Sequence, residues 1–238
     1  MSLEKITTQG DKGRRRYEDA CAAAHALDLV GERWALLVMR ELMLGPKRFS
    51  NLRTSLPGIS ANVLTQRLES LEAAGVVARH KLPPPSNAQV YELTAWGYEA
   101  EPIFQALGRW AARSPLHDPT LPFSATSLFL SFRTMFDPAR ADGLDARIGF
   151  RTPHDSFVVR ISSGKLKGSR SMDKADVTFT GDASAVAAVI YGGVPLETMT
   201  GSGALAIEGD RALAERFIGL FPMPEKAGSS PTNVGEVA

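Results

Sequence analysis

The sequence predicts an α+β chain in two parts: a helical N-terminal domain closed by one β-hairpin, and a C-terminal domain whose helices cover an antiparallel sheet. Three observations carry this. Over residues 34–77, apolar residues recur at helical spacing in successive segments separated by Gly45-Pro46 and Pro57-Gly58. Residues 114–122, SPLHDPTLP, hold three prolines in nine positions with no period, which marks a linker. Beyond the linker the apolar period shifts to two, as in Phe157, Val159 and Ile161.

Taken in order, residues 1–16 are polar and end in Arg14-Arg15-Arg16, either a frayed terminus or a basic arm near phosphates. Residues 17–30 read as a helix containing Cys21 and His25. A helix over 34–44 turns Trp34, Leu37, Val38 and Leu42 inward, and a shorter one over 49–56 uses Phe49, Leu52 and Leu56. The stretch ISANVLTQRLESLEAAGVV, residues 59–77, organises the rest. Ser60 is placed to cap a helix, Leu64, Leu68 and Leu71 form its apolar stripe, and Gly75 stops it. The opposite face carries Ala61, Asn62, Thr65, Gln66 and Glu69, small or hydrogen-bonding groups suited to base edges in a major groove. An ordinary amphipathic surface helix is the plain alternative. Helix, short helix, turn, helix is helix-turn-helix grammar. Short strands over 76–81 and 89–93 then flank a loop with Pro83, Pro84 and Pro85, so a wing follows the reading helix. Thr94 caps a long helix over 95–113 with Trp96, Ile103, Leu107, Trp110 and Ala111 apolar and Pro102 as a kink.

After the linker, a helix over 124–136 carries Leu128, Phe129, Phe132, Met135 and Phe136. Strand alternation follows in DARIGFRT and DSFVVRIS, with a Ser163-Gly164 turn into KLKGSR, and again in VTFTG. A helix over 183–191, a loop VPLETM, a strand GALAIEG and a helix over 211–221 complete the chain. Gly201 and Gly203 precede a strand rather than follow one, so they read as a turn, not a phosphate loop. No Ser-His-Asp, metal-ligand or phosphate-loop arrangement is recognisable, so neither an enzyme nor a cofactor is expected.

Residues 26–80, ALDLVGERWALLVMRELMLGPKRFSNLRTSLPGISANVLTQRLESLEAAGVVARH, resemble the HxlR family of bacterial winged-helix transcriptional regulators. Gly31, Trp34, GPKRF, LPGIS and LTQRLESLEAAG carry the resemblance, and YELTAWG extends it into the second wing strand; it covers about the first 110 residues. It implies a homodimer packed through the first and long helices and reading a palindromic operator in double-stranded DNA. Its second helix would cross the phosphate backbone, giving Lys47, Arg48 and Arg53 phosphate contacts, with Arg79 and Lys81 joining from the wing. Asn62, Thr65 and Gln66 would meet base edges, with Ser60 and Ala61 nearest the groove. Arg67 either reaches a phosphate or guanine edge or pairs with Glu41 or Glu69. Some members sense oxidants through a cysteine before the first helix, which singles out Cys21; an inert, buried cysteine is the simpler reading.

Residues 175–221 resemble the sterol carrier protein type-2 family, through ADVTFTGD, the GALAIEGD strand with its Gly-Asp turn, and ALAERFIGLF. That resemblance implies an apolar tunnel for a hydrophobic or lipid-like ligand. Phe132, Phe136, Phe157, Phe179, Val189, Met199 and Phe217 are the candidate lining, each equally able to be plain core.

Bulk properties agree. The 238 residues suit two domains, 1–113 and 123–224, with a linker over 114–122 and a tail over 225–238. A single cysteine excludes an intrachain disulfide and a cysteine-based zinc site. The net charge of +1 divides into +3 over residues 1–113 and −2 over 114–238, so the basic excess lies on the helix-turn-helix half. No secretory leader or membrane span is visible, so a cytoplasmic protein is expected. The expected function is sequence-specific DNA-binding regulation with a hydrophobic effector. The alternative is a hydrophobic-ligand carrier whose winged domain only dimerises.

Overall fold

A computed structural model describes residues 17–170 and 174–228. The Arg14–Arg16 arm and residues 229–238 lie outside them.

Helix α1 (Ala22–Val30) leads through Trp34, held at φ 79°, into α2 (Ala35–Leu42) and then α3 (Phe49–Ser55). The reading helix α4 (Ala61–Ala73) begins where Ser60 Oγ accepts from the Val63 N–H at 3.2 Å. It stops at Gly75, whose φ of 73° favours glycine. Leu64, Leu68 and Leu71 are fully buried against α2, with Val38, Leu42, Leu52 and Leu56 in the same core. Truncating any of these leucines to alanine would cost about 2–5 kcal/mol. That packing fixes the rotation of α4 and so decides which face looks outward.

Strands β1 (Val77–Lys81) and β2 (Gln89–Leu93) form the wing, in register from Val77↔Leu93 to Lys81↔Gln89. A third segment joins them, because Lys47 and Tyr91 exchange two backbone hydrogen bonds of 2.9 Å. The long helix expected over 95–113 is broken. Thr94 caps a single turn, α5 (Ala95–Tyr98), and α6 (Glu101–Ala112) restarts with Pro102 in its first turn. Proline has no N–H to give a preceding turn, so the chain breaks here instead of kinking.

In the second half, Ser124 caps α7 (Ala125–Met135). Strands β3 (Ala146–Arg151), β4 (Ser156–Ser162), β5 (Lys165–Ser169), β6 (Val177–Gly181) and β7 (Leu205–Gly209) form one sheet in the order β5-β4-β3-β6-β7. All pairs are antiparallel except β3 with β6. Helices α8 (Ala183–Ile190), α9 (Leu196–Gly201) and α10 (Arg211–Ile218) complete it. The VPLETM stretch expected as a loop therefore supplies the start of a helix. Ile148, Phe150, Phe157, Val159, Ile161 and Phe179 are buried under the helices, whereas Arg147, Arg151 and Arg160 face water.

The phenylalanines read as a tunnel lining are the core itself. Phe132 lies 5.2 Å from Phe150, 5.4 Å from Phe217 and 4.9 Å from Phe221, ring centre to ring centre. Phe150 stacks between Phe157 at 4.8 Å and Phe179 at 5.3 Å. Rings in mutual contact at these distances leave no room for a ligand between them. Phe136 packs toward Phe221, Val189 is buried, and Met199 packs on the same core.

Residues 114–122 are irregular and mostly exposed, as a linker is, with a local turn inside the stretch and a fastening just beyond it. Asp118 Oδ1 accepts from the Thr120 N–H and hydroxyl at 2.9 and 2.6 Å, and the Phe123 N–H donates to Ser184 Oγ at 2.9 Å. Across the seam, α6 lies on α7: Arg133 pairs with Glu101 at 2.6 Å, and Arg109 donates to the Thr134 carbonyl. Beyond α10 the chain returns to the first domain. Lys226 Nζ donates to the Ala112 and Ser114 carbonyls at 3.0 and 3.1 Å, satisfying acceptors that α6 leaves open at its C-terminus.

Candidate nucleic-acid interface and interdomain cavity

Because Leu64, Leu68 and Leu71 are locked inward, Asn62, Thr65, Gln66 and Glu69 are exposed along the outer side of α4, with Ser60 exposed and Ala61 half-buried at its start. Exposed cations lie on α3 and the wing. Arg48 sits at the start of α3 and donates to Ser86 Oγ of the wing loop at 3.1 Å; Arg53 lies on α3; Arg79 and Lys81 lie on β1. Arg79 approaches Glu72 at only 3.8 Å, with both side chains well exposed, a pairing worth little in water. Of the eleven predicted DNA-contact residues, ten lie on α4 and its cap, at α3 or on β1 with side chains at least partly exposed. Arg67 pairs with Glu32 at 3.0 Å, a partner from the α1–α2 connection rather than either glutamate anticipated. Cys21 is exposed at the start of α1, not buried.

Lys47 is the exception. Its side chain is 2% exposed, and its Nζ lies 2.9 Å from Glu41 Oε2 and donates to Thr126 Oγ1 at 3.0 Å. Asp155 Oδ2 lies 3.6 Å away. A cation so enclosed cannot meet a phosphate. The bridge to Tyr91 fixes the Lys47 backbone beside the wing and leaves its side chain at the domain seam. There it joins a network. Arg40 donates twice to Glu41 Oε1 at 2.9 and 3.1 Å, the Ser124 hydroxyl donates to the same oxygen at 2.7 Å, and Arg170 pairs with Asp155 at 2.9 Å. Burial alone would push the Glu41 carboxyl up. The charges of Lys47 and Arg40, with hydrogen bonds from Ser124 and Lys47, outweigh it and hold the group below its ordinary value, so Glu41 is ionised at neutral pH.

Beside this network lies a cavity of about 370 Å³ between α6 and α7. Phe104, Leu107 and Gly108 of α6 face Leu130 and Met135 of α7, with Met223 from the returning chain. Arg40, His117 and Tyr191 also reach its wall. The Tyr191 hydroxyl donates to Ser131 Oγ at 2.8 Å; burial pushes its phenol well up, so it stays neutral. His117 Nδ1 is buried with no hydrogen-bond partner. None of the seven residues expected to line a ligand tunnel borders this cavity. Sequence reasoning missed it because its walls come from both domains and from a stretch read as a linker.

A three-helix unit with its reading helix followed at once by a two-stranded hairpin defines a winged helix-turn-helix protein. Residues 29–117 match the family described as HxlR-like helix-turn-helix. An HTH-type transcriptional regulator of Synechocystis is 39% identical over 87 residues, 37% of this chain, and the chain spans 64% of that relative's length. The Bacillus subtilis HTH-type transcriptional regulator YodB is 38% identical over 86 residues, 36% of this chain and 77% of YodB. The chain belongs to the HxlR-like family. The structure of reduced YodB covers 41% of this chain and 98% of its own, at 35% identity and a TM-score of 0.37. Residues 121–227 match a second family, described as alkyl sulfatase C-terminal. That family, rather than a sterol carrier one, is what the C-terminal half matches. Among the described residues no helix is long and apolar enough to cross a membrane.

Proposed function

We propose that this protein is a homodimeric, sequence-specific DNA-binding transcriptional regulator, without catalytic activity, whose C-terminal half serves as an effector module. The observation that carries it is the polar row Asn62, Thr65 and Gln66 on a helix whose opposite side is locked into the core. These side chains offer paired donors and acceptors of the kind that read base edges. Arg48, Arg53, Arg79 and Lys81 hold phosphates around them. The family's regulators support the same reading. Dimerisation uses the apolar side of α6, where Ile103, Leu107 and Trp110 are 59%, 45% and 74% exposed, together with Leu27 of α1. Exposed apolar residues grouped in this way mark an interface. A sterol-carrier-like role for the C-terminal half, holding a hydrophobic molecule, belongs to this proposal, with the ligand placed in the α6–α7 cavity because the phenylalanine core is full. A carrier whose winged half merely dimerises would not need a hydrogen-bonding row on α4.

The test uses full-length protein and a duplex it selects from a random pool. Arg53→Gln flattens the dependence of log K on log salt by about 0.9 per subunit. Gln66→Ala leaves that slope alone and relaxes preference at one base pair by about 1–3 kcal/mol. Unchanged binding in both variants refutes the assigned surface.

A further inference from the structure

We propose that the cavity between α6 and α7 binds a short amphiphile, an apolar chain carrying one anionic head, with the head at Arg40 and the chain between the two helices. The inference rests on the effector reading above and specifies where the ligand sits and what it is.

The volume of about 370 Å³ lies near the lower end of small-ligand cavities, about 300–1,000 Å³, so the occupant is compact. Its walls are predominantly apolar side chains, among them Phe104, Leu107, Leu130, Met135 and Met223. The polar groups that do reach it are mostly engaged elsewhere. Tyr191 is bonded to Ser131, and the Thr134 hydroxyl donates to the Leu130 carbonyl at 2.8 Å. Two groups stand apart from these, one without a partner and one that is paired but belongs to a charge-imbalanced network. His117 Nδ1 is buried without a partner, the kind of group a bound ligand accounts for. Arg40 belongs to a network in which three cations, Arg40, Lys47 and Arg170, face two carboxylates, Glu41 and Asp155. One positive charge is in excess, and Arg40 is the cation of the network that borders the cavity. An anionic head answers that excess, whereas a cationic one would meet repulsion beside a desolvated wall.

The position also supplies a route to DNA. Arg40 is bonded to Glu41, Glu41 to Lys47, and the Lys47 backbone to Tyr91 of the wing. Leu107 lies both on the cavity wall and on the exposed side of α6 assigned to the dimer. A ligand that reorients Arg40 or α6 therefore touches both elements that set how two reading helices meet an operator.

Gly108 makes the site testable without damage to the fold. A Cβ added there meets Thr134 Cγ2 at 3.9 Å, ordinary contact, so Gly108→Leu projects a side chain into the cavity while replacing a helix-interior glycine. Calorimetric titration of the full-length protein with octanoate, 1-octanol and octylamine, without DNA, reads binding directly. The expected result is saturable octanoate binding, roughly tenfold tighter than 1-octanol, with octylamine not bound. Gly108→Leu weakens octanoate at least tenfold without lowering the melting temperature, and Arg40→Gln removes the preference for octanoate over 1-octanol. Undiminished octanoate binding by Gly108→Leu, or no saturable binding by the wild type, overturns the proposal. So does a wild type that binds none of the three while Gly108→Leu loses its dimer, since a second copy then fills the cavity. Failure to select any duplex would refute the DNA reading alone, because the titration does not involve DNA.

Discussion

Lys47→Met separates two incompatible roles for one side chain. Glu41 is fully buried, and Lys47 supplies a 2.9 Å ion pair to it. Removing the cation strands a desolvated carboxylate, and breaking a buried pair costs about 3–5 kcal/mol. Arg40 and the Ser124 hydroxyl remain on Glu41, and Arg170 remains on Asp155, so the loss falls at the lower end, about 3 kcal/mol. In a chain of this size each kcal/mol moves the midpoint by about 2–4 °C, giving a fall of roughly 6–12 °C. Thermal unfolding followed by circular dichroism at neutral pH measures it. Salt dependence of duplex binding, recorded well below both transitions, measures the other role. The buried reading expects an unchanged salt slope, whereas a phosphate contact would remove about 0.9 from it. A midpoint within about 2 °C of wild type, or a flattened slope, refutes the reasoning. Adding Glu41→Leu to Lys47→Met should recover most of the loss, since apolar replacement of a buried pair is often neutral.

Two further outcomes follow from the same structure. Glu41 is held below its ordinary value of 4.5, so the stability it contributes is present above that value and lost as pH falls through the lower folded-state value. Urea midpoints against pH should therefore drop on the acid side, and Glu41→Gln should flatten that limb while lowering the neutral plateau. On α6, Ile103→Glu with Trp110→Glu places charge on an exposed apolar surface. Light scattering should then give the mass of one chain with an unchanged melting curve, and a persistent dimer refutes the assigned interface.

The reading helix was legible because its determinants are local: a capping serine, three leucines at helical spacing and a glycine stop lie within one short stretch. The wing strands and the hydroxyl cap at Thr94 were legible for the same reason, whereas Ser124, read as the first residue of its helix, is the cap of α7. What failed was non-local. Lys47 looks like a phosphate contact beside Arg48, and nothing near it in sequence reveals Thr126, 79 residues on, as its partner. The phenylalanines were read as either tunnel lining or core, because periodicity cannot tell rings that line a space from rings that fill it. The break at Pro102 was signalled only as a kink, since a missing N–H can produce either. The parallel pairing of β3 with β6 is a property of the assembled sheet, which no single strand's periodicity contains.

The hydrogen bonds from Lys226 to the end of α6 make the chain re-enter its first domain after completing its second. Severing the polypeptide within residues 114–122 would therefore not yield two self-sufficient fragments. The front piece would lose the clasp on its last helix, and the rear piece would bare the side of α7 that α6 covers. Two modules joined by a loose tether communicate by changing how often they meet. Here the reading head and the sheet share one helix boundary, fastened from both directions along the chain. A displacement of either part therefore strains the boundary they share.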